Sequence, residues 1–154
     1  MIIYIGADHL GFYLKEVIKQ SLKGDNYEVV DMGNSQSDDS DDYPDFAAAV
    51  AEKVAGTGGE VRGIVICGSG IGVDVTANKF VGVRSALAIS ADQIRAGRHD
   101  DDVNVLSLAA GFTDEKSVLE IVRVFLGTPF QKEERYVRRL EKITKIENES
   151  HSGS

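Results

Sequence analysis

The feature that most constrains the fold is an apolar run that leads directly into a glycine-rich loop. Gly63-Ile64-Val65-Ile66-Cys67 shows no alternation of apolar and polar residues, which is typical of a central parallel strand buried on both faces. Gly68-Ser69-Gly70-Ile71-Gly72 follows at once and is typical of a tight turn between a strand and a helix. Such a strand requires neighbouring strands on each side and helices above and below the sheet.

The rest of the chain supplies these elements, because short β-branched runs alternate with longer amphipathic segments. Strands are predicted at residues 2–5, 28–31, 63–67, 85–88 and 103–106. Six helices are predicted. The first three span residues 12–22, run through Phe46 to Val54, and follow the glycine loop up to about Lys79. The last three span residues 92–99, run from an N-cap at Thr113-Asp114 to Thr128, and span about residues 132–146. The pattern predicts one α/β domain over residues 1–147, with helices on both faces of a parallel sheet, followed by a disordered tail at residues 148–154.

Charge and hydropathy argue against several classes of function. The 17 Lys plus Arg residues against 25 Asp plus Glu give a net charge of −8, which disfavours binding to nucleic-acid phosphates. No apolar run approaches the roughly 20 residues that span a bilayer, so no membrane partner is expected. Because no basic signal segment precedes the first strand, the protein is expected in the cytoplasm.

Metal-binding residue types are sparse and badly spaced. Cys67 is the single cysteine, which excludes an internal disulfide and any multi-cysteine metal site. His9, His99 and His151 lack a metal-binding spacing, and the five aspartates between residues 38 and 45 lack the pattern of a calcium loop. We therefore expect a solvated acidic loop and no metal.

Three segments place chemically useful residues near strand ends, where ligands of parallel α/β sheets bind. Asp8-His9 follow the first strand, residues 67–72 include the end of the third, and residues 99–102 form a predicted loop before the fifth. The glycine loop can direct backbone N–H groups at a phosphate or a developing oxyanion, or it can be a tight turn without further function. Its spacing fits neither a Walker loop nor a dinucleotide fingerprint.

Each of these side chains also has a plain structural interpretation. Cys67, at a strand end beside a helix start, is either an activated base or nucleophile or a small buried hydrophobe. Asp8-His9 can form a loop turn with an Asx hydrogen bond. Arg135 and Arg139 lie four residues apart on one helical face, and either bind a ligand or pair with solvent and acids such as Glu134.

Taken in order, several segments resemble the ribose-5-phosphate isomerase B family and the related galactose-6-phosphate isomerase subunits. They are Ile5 to Lys15, Asp42 to Ala47, Gly63 to Gly72 and Ala77-Asn78-Lys79, and the resemblance covers about residues 1–146. It implies a three-layer α/β/α Rossmann-like sandwich with a five-stranded parallel sheet. It also implies a cofactor-free aldose–ketose isomerase of small phosphorylated sugars, with its active sites at a dimer interface where we place the helix at residues 132–146.

The resemblance assigns roles by position. Cys67 is implied as the base that moves a proton between C1 and C2, and Ser69 stands where the family usually has threonine. Asp8 is implied to bind sugar hydroxyls, and Tyr43 to form part of the pocket wall. The phosphate is implied to be bound by His9, Arg135 and Arg139. The enediolate is implied to be bound by the backbone N–H groups of Gly68, Gly70, Ile71 and Gly72.

The chain departs from the family pattern around its fourth and fifth strands. Aligned without gaps, the family's ring-opening histidine falls on Asp100 and its asparagine partner on Asp101, whereas His99 lies one position early. A family His-Asp pair is replaced by Ile89-Ser90, and a Gly-Gly-Arg by Ala109-Ala110-Gly111. In the family, the histidine–asparagine loop and that arginine reach into the neighbouring subunit's site. The half-site that this chain offers to a partner therefore differs, while its own half is intact.

The resemblance therefore implies a cofactor-free isomerase that interconverts ribose 5-phosphate and ribulose 5-phosphate through a cis-enediolate, as a homodimer or homotetramer. A one-residue shift would return His99 to ring opening, whereas Asp100 would need a raised pKa to act as an acid at neutral pH. A substrate that is mostly open-chain would avoid that step. Alternatives are an isomerase of another four- to six-carbon sugar phosphate, a galactose-6-phosphate isomerase-type subunit in a heteromer, and a phosphosugar-binding module without catalysis.

Overall fold

The computed structural model describes residues 1–153. Its strands are β1 (Ile2–Ala7), β2 (Glu28–Asp31), β3 (Val61–Cys67), β4 (Ser85–Leu87) and β5 (Val105–Ala109). Its helices are α1 (Phe12–Gly24), α2 (Tyr43–Val54), α3 (Ile71–Ala77), α4 (Ala91–Asp101), α5 (Glu115–Gly127) and α6 (Glu134–His151). The strands form one parallel sheet in the order β2-β1-β3-β5-β4. Across residues 1–153, no helix combines the length and the apolar character that crossing a bilayer requires.

β3 is the central strand that its apolar run predicted. All seven of its residues are buried, and it pairs with β1 on one side and β5 on the other. Ile64 and Ile66 join the apolar cluster that contains α1 and α5, whereas Val65 and Cys67 join the cluster that contains α2 and α3. The two faces of the strand are therefore covered by different helices, and the predicted three-layer α/β/α sandwich is confirmed.

The buried face of α1 carries a charge that the apolar pattern did not predict. Val17 is only partly buried, whereas Lys15 is 0% exposed. The Lys15 ammonium group donates to Asp31 Oδ1 at 3.1 Å and to the carbonyl oxygen of Asn34 at 2.8 Å. These partners offset the cost of burying the charge and attach α1 to the loop after β2. The other predicted apolar residues of this face are buried: Leu14, Ile18 and Leu22.

β5 begins two residues later than predicted and ends three residues later. Asn104 precedes the strand, and its side chain bonds the backbone of Gly82 and Arg84 at 2.8 and 2.7 Å. Ser107 fits the buried strand because its hydroxyl lies 2.8 Å from the hydroxyl of Ser85 on β4. The predicted strand at residues 103–106 was therefore wrong at both ends, because polar residues in the run have partners on a neighbouring segment.

Residues 99–102 do not form the loop predicted for them. α4 continues to Asp101, and Asp102 ends the helix in the left-handed conformation with φ 47°. The carboxylate of Asp102 accepts from Arg98 Nη1 at 2.7 Å and from Arg84 Nη2 at 2.9 Å. These bonds hold the last turn of α4 against the start of β4.

α6 continues beyond the predicted helix end and includes most of the predicted disordered tail. The apolar residues of this helix stop at Ile146, where the prediction ended, but the helix reaches His151. Both carboxylate oxygens of Glu147 lie 3.1 Å from the backbone nitrogen of Gly82, which donates to them. The predicted disorder from residue 148 to 151 was therefore wrong, because a tertiary contact supports the helix. Ser154, the last residue of the predicted tail, lies outside the described residues.

Candidate functional site

The segments that follow β1, β3 and β5 border a cavity of about 860 Å³, which we call the cysteine cavity. Parallel α/β sheets bind ligands at this carboxyl edge. The residues predicted for the site that line the cysteine cavity are Asp8, Tyr43, Cys67, Gly68, Ser69, Ile71 and Gly72. The remaining lining residues are Leu10, Val75, Ala110, Gly111 and Phe112.

Cys67 is the last residue of β3 and is 4% exposed. It packs in the apolar cluster with α2 and α3, and it also lines the cysteine cavity. Its carbonyl oxygen accepts from the backbone nitrogen of Ala110 at 2.9 Å, which fixes the end of β3 against the segment after β5. Cys67 is therefore the buried residue that one interpretation predicted, and it also lines the cavity where the other interpretation would need it.

The glycine loop needs glycine at residue 70 and leaves backbone donors without partners. Gly70 has φ 72°, and a Cβ atom there would lie 2.9 Å from the carbonyl carbon of Leu108. Ser69 Oγ accepts from the nitrogen of Ile71 at 3.3 Å. Within residues 1–153, we find no acceptor for the N–H groups of Ser69 and Gly70. The loop can therefore offer two backbone donors to an anionic oxygen.

Asp8 forms the predicted Asx turn and is 5% exposed. Its Oδ1 accepts from the nitrogen atoms of Leu10 and Gly11, each at 3.1 Å. Burial raises the pKa of the Asp8 carboxyl, and the hydrogen bond from Gly11 opposes this shift. Since Oδ1 is occupied by the turn, Oδ2 is the oxygen left for a ligand in the cysteine cavity.

Tyr43 forms a wall of the cysteine cavity because its ring lies against the backbone of Gly72. A Cβ atom added to Gly72 would lie 2.6 Å from two ring carbons of Tyr43. Tyr43 begins α2 and is 40% exposed, so the ring closes one side of the cavity without being enclosed itself.

His9 is adjacent to Asp8 in the chain but does not line the cysteine cavity. Its Nδ1 lies 2.8 Å from Asp41 Oδ1, and its backbone nitrogen donates to the same oxygen at 3.0 Å. The hydrogen bond to Asp41 raises the pKa of the His9 imidazole above its ordinary value of 6.5. His9 is therefore fixed next in the chain to a residue that lines the cavity, in an environment that favours its cationic form.

Four other predicted site residues form a second group together with Tyr136. We call this group the arginine cluster, and its members are His99, Asp100, Arg135, Tyr136 and Arg139. His99 Nδ1 lies 2.5 Å from Asp100 Oδ1. The guanidinium carbons of Arg135 and Arg139 lie 4.7 and 5.9 Å from the centroid of the Tyr136 ring, so both arginines project from one face of α6 as predicted. The cluster joins the last turn of α4 to the first turns of α6.

Asp100 is not placed to act as an acid at neutral pH. Hydrogen bonding from His99, together with that from Tyr136, holds the pKa of the Asp100 carboxyl below its usual range. Asp101 is exposed and bonds through its carbonyl oxygen to Arg84 Nε at 3.1 Å. Of the three neighbouring positions, only His99 carries an imidazole, the side chain that most often acts as a general acid or base.

The cysteine cavity and the arginine cluster lie at opposite edges of the sheet. Cys67 ends β3 at the carboxyl edge, whereas α4 returns to the amino edge before the chain enters β5 at Val105. Arg84, which directly precedes β4, contacts the carbonyl oxygens at the end of α4. The sheet separates the two edges by about 13 Å along β5 alone. One chain therefore does not bring the two groups together, and no residue of the arginine cluster lines the cavity.

A second cavity of about 410 Å³ adjoins the first and shares Ser69, Ile71 and Phe112 with it. Its lining includes Ile89 and Ala109, two of the positions that depart from the family pattern. Within residues 1–153, neither cavity is lined by a lysine, arginine or histidine side chain. A phosphate in the cysteine cavity would therefore need cations from its rim or from another chain.

Among residues 1–153, Asp8, His9 and Asp41 come close to a metal-binding geometry. One potential ligand atom from each residue lies within 4.8 Å of the others. The Oδ1 atom of Asp41 already contacts His9 Nδ1 and its backbone nitrogen. The geometry is that of a hydrogen-bonded pair beside a buried acid, and we assign no metal to it.

Sequence reasoning missed several residues that shape these groups. Asp41 and Tyr136 were not predicted, because each acts through a contact with a residue distant in the chain. Phe112 and Leu10 line the cysteine cavity although they are 83% and 61% exposed. Large apolar residues in the loops that follow predicted strands were the available signal for the latter pair.

The fold and the cysteine cavity define the class of the protein: an α/β protein with a small-molecule site at the carboxyl ends of its strands. A family model described as Ribose/Galactose Isomerase matches residues 3–143. The chain belongs to this family, so the resemblance drawn from its sequence is confirmed.

Solved and curated relatives agree with this assignment. The structure of ribose-5-phosphate isomerase B from Mycoplasma genitalium with bound ribulose-5-phosphate has a TM-score of 0.92 and 41% identity, and the match covers 96% of this chain and 97% of that chain. Ribose-5-phosphate isomerase B from Clostridium thermocellum has a TM-score of 0.91 and 41% identity over 97% and 99% of the two chains. The Escherichia coli ribose-5-phosphate isomerase B is 38% identical over 94% of this chain and 95% of its own length.

Proposed function

We propose that this protein interconverts ribose 5-phosphate and ribulose 5-phosphate through a cis-enediolate, with Cys67 as the base. The observation that carries the proposal is the cysteine cavity, where Cys67, Asp8 and the glycine loop meet. The relative from Mycoplasma genitalium, which has the same fold, binds ribulose-5-phosphate. The relatives named ribose-5-phosphate isomerase B support a place in carbohydrate metabolism, within the pentose phosphate pathway of the cytoplasm.

The chemistry follows from the positions of the groups in the cysteine cavity. The Cys67 thiolate removes the proton from C2 of the open-chain aldose, and the electron pair moves onto the C1 carbonyl oxygen to form an enediolate. The N–H groups of Ser69 and Gly70, with the Ser69 hydroxyl, stabilise the developing negative charge. A proton then passes from the C2 hydroxyl to the C1 oxygen, the thiol returns its proton to C1, and the C2 oxygen becomes the ketose carbonyl. Hydrogen moves only as protons, so the step requires no redox cofactor.

The remaining residues of the cavity bind and orient the sugar. Asp8 Oδ2 accepts hydrogen bonds from sugar hydroxyls, and the Tyr43 ring forms the wall of the pocket. The backbone groups of Gly68, Ile71 and Gly72 complete the floor. His9, which follows Asp8 in the chain, binds the phosphate as an imidazolium.

Ring opening is assigned to His99, with Asp100 as its ionised partner. The Asp100 carboxylate, 2.5 Å from His99 Nδ1, orients the imidazole so that Nε2 can transfer a proton to or from the sugar ring. The lowered pKa of Asp100 supports this division of roles over one in which Asp100 is the acid. Asp101, one position further, is the remaining substrate contact on this turn.

A second copy of the chain completes the site in this proposal. The cysteine cavity lacks cationic side chains of its own, and the arginine cluster lies at the other edge of the sheet. In a homodimer, or a tetramer of two such dimers, Arg135 and Arg139 of one copy bind the phosphate in the cavity of the other. α6 then lies at the interface. The same observation also supports a heteromer, in which a different chain brings the second half, as in a galactose-6-phosphate isomerase-type enzyme.

The primary experiment is aldose–ketose conversion by the purified chain alone, with a panel of four- to six-carbon sugar phosphates and a chelator present. Conversion of ribose 5-phosphate that is lost in Cys67→Ala supports the proposal. Preference for another sugar phosphate would change the substrate but retain the chemistry. Turnover by Cys67→Ala at the wild-type rate would overturn the role of Cys67.

Two controls separate the alternatives. Exchange of the C1 or C2 hydrogen with solvent deuterium distinguishes an isomerase from a phosphosugar-binding module, which binds without exchange. Sedimentation of the active species distinguishes a self-sufficient homodimer or homotetramer from a chain that requires a second subunit. A folded chain that binds ribose 5-phosphate without exchange would contradict catalysis by the chain alone.

A further inference from the structure

Asp41 differs from the other aspartates of the acidic loop. Its side chain is 8% exposed, whereas Asp38, Asp39 and Asp42 are exposed. It is also the loop acid that contacts His9, the residue assigned to the phosphate. A charge would not be buried in this loop without a partner, because desolvation of a carboxylate is costly.

The geometry points to Asp41 as a positioning residue: its carboxylate fixes the His9 imidazole so that Nε2 is the ring atom left to bind the phosphate. Oδ1 of Asp41 lies 2.8 Å from His9 Nδ1 and accepts from the His9 backbone nitrogen at 3.0 Å. One oxygen thus fixes both the ring and the backbone of the same residue. This inference rests on the proposed function, in which His9 binds phosphate.

The loop that carries Asp41 is itself attached to the buried part of the fold. Asn34 Nδ2 donates to Asp41 Oδ2 at 3.2 Å, so the second carboxylate oxygen is also occupied. The carbonyl oxygen of Asn34 accepts from the buried Lys15 ammonium group at 2.8 Å. A chain of three hydrogen bonds therefore runs from α1 to His9, and the imidazole is held by a rigid support rather than by a free loop.

The acidic groups around His9 make the charge of its imidazole important for phosphate binding. The charged groups that act on the imidazole are the carboxylates of Asp41, Asp8, Asp39 and Asp38. A phosphate dianion would be repelled by these acids if His9 were neutral. The hydrogen bond to Asp41 raises the pKa of His9, so the imidazolium persists to higher pH. As the pH rises through that raised pKa, the positive charge is lost and phosphate binding weakens.

Proton NMR titration of His9 in the substrate-free protein tests the positioning step directly. Asp41→Asn keeps the shape of the side chain and removes its charge, so we expect the pKa of His9 to fall towards its ordinary value. Asp42→Asn removes an equal charge from the neighbouring, exposed position and should leave His9 unchanged. An identical His9 titration in the wild type and Asp41→Asn would overturn the inference, and this outcome does not depend on any enzymatic activity.

Steady-state kinetics on ribose 5-phosphate test the consequence for binding. Between pH 6.5 and the raised pKa of His9, each unit by which the pKa falls should raise KM by up to about tenfold, because the imidazolium fraction falls by that factor. We expect kcat to change by less than about twofold, since His9 binds the unreactive end of the substrate. Ionisation of the substrate's own phosphate affects every variant alike, so the Asp42→Asn variant should follow the wild-type pH profile.

A double-mutant cycle separates action through His9 from a general effect on the loop. In a His9→Gln background, Asp41→Asn should raise KM no further, because its effect passes through the imidazole. An equal increase of KM in both backgrounds would overturn the inference, even if the wild type turns over ribose 5-phosphate. Absence of turnover in the wild type would refute the proposed function while leaving the NMR result to decide the role of Asp41.

Discussion

The rings of His99 and Tyr136 meet edge to face, with their centroids 5.6 Å apart and their planes at 80°. This contact joins the last turn of α4 to the first turn of α6. Arg135 Nη2 donates to the hydroxyl oxygen of Tyr136 at 2.9 Å, so the same side chain also orients an arginine. A buried tyrosine therefore sets the relative positions of the residues assigned to ring opening and to phosphate binding.

Tyr136→Phe should lower kcat/KM for ribose 5-phosphate by about tenfold, because it removes a hydrogen bond to a charged group. The ring contact with His99 is retained, so the melting temperature should change little. Tyr13→Phe is the matched control, since Tyr13 is 73% exposed. Equal effects of the two substitutions on kcat/KM would contradict an organising role for the Tyr136 hydroxyl.

Arg135→Ala and Arg139→Ala should each raise KM by about tenfold and lower kcat less, because a phosphate contact binds substrate and transition state alike. Arg138→Ala provides the control on the same helix, where its guanidinium lies 4.0 Å from Glu134. Kinetics of the three variants check this prediction. A loss confined to kcat would show that the arginines do more than bind phosphate.

His99→Asn should reduce turnover of cyclic sugar phosphates much more than turnover of mainly open-chain ones, since only cyclic substrates require ring opening. Ribose 5-phosphate and a four-carbon aldose phosphate, which cannot form the same stable ring, are suitable substrates to compare. The ratio of their kcat/KM values in wild type and variant is the measurement. Equal losses for both substrates would assign His99 another role.

Gly70→Ala should abolish most activity and destabilise the fold, because the left-handed conformation and the contact with Leu108 both oppose a Cβ atom. The conformational part costs about 1–2 kcal/mol. Gly82→Ala is a matched control with φ 81°, where the nearest atom to an added Cβ lies 3.6 Å away. Chemical denaturation and turnover should show a smaller loss of stability and retained activity for Gly82→Ala. If the two variants lose stability and turnover equally, the close packing around Gly70 does not contribute to function.

Asp31→Asn should lower the free energy of unfolding by about 3 kcal/mol, because it removes the nearer of the two carboxylates from the buried Lys15 ammonium group. Lys15→Met removes the charge together with its need for a partner and should cost less. Urea denaturation of both variants, with the exposed Asp25→Asn as control, provides the comparison. A larger loss for Lys15→Met would show that the ammonium group stabilises the fold beyond its pairing with Asp31.

The order of elements and the cysteine half of the site were predictable because they depend on neighbours in the chain. An apolar run without alternation predicts a central strand, and β3 is one. An N-cap was predicted at Thr113-Asp114, and the Asp114 carboxylate accepts from the nitrogen of Ser117 at 3.0 Å, three residues on. Asp8 and Cys67 could be predicted as site residues because each lies at a strand end, and a parallel sheet brings the carboxyl ends of its strands together.

Contacts between distant residues were not predictable, and they account for the errors. Asn104 and Ser107 look unsuited to a buried strand region until their partners on the segment around β4 are known. Lys15 looks like a solvent-facing residue until Asp31 is placed beside it. Such residues are stabilised by partners many positions away, which local periodicity does not record.

The sequence alone determined the α/β class, the central strand and the group of Asp8, Cys67 and the glycine loop, because backbone periodicity and strand-end placement are local properties. Only the tertiary structure decided that His99 and the two arginines lie at the opposite edge of the sheet from Cys67, and that Asp41 holds His9. Those relationships depend on the direction in which helices return across the sheet and on side-chain partners brought together by folding, and neither is encoded in the spacing of residues along the chain.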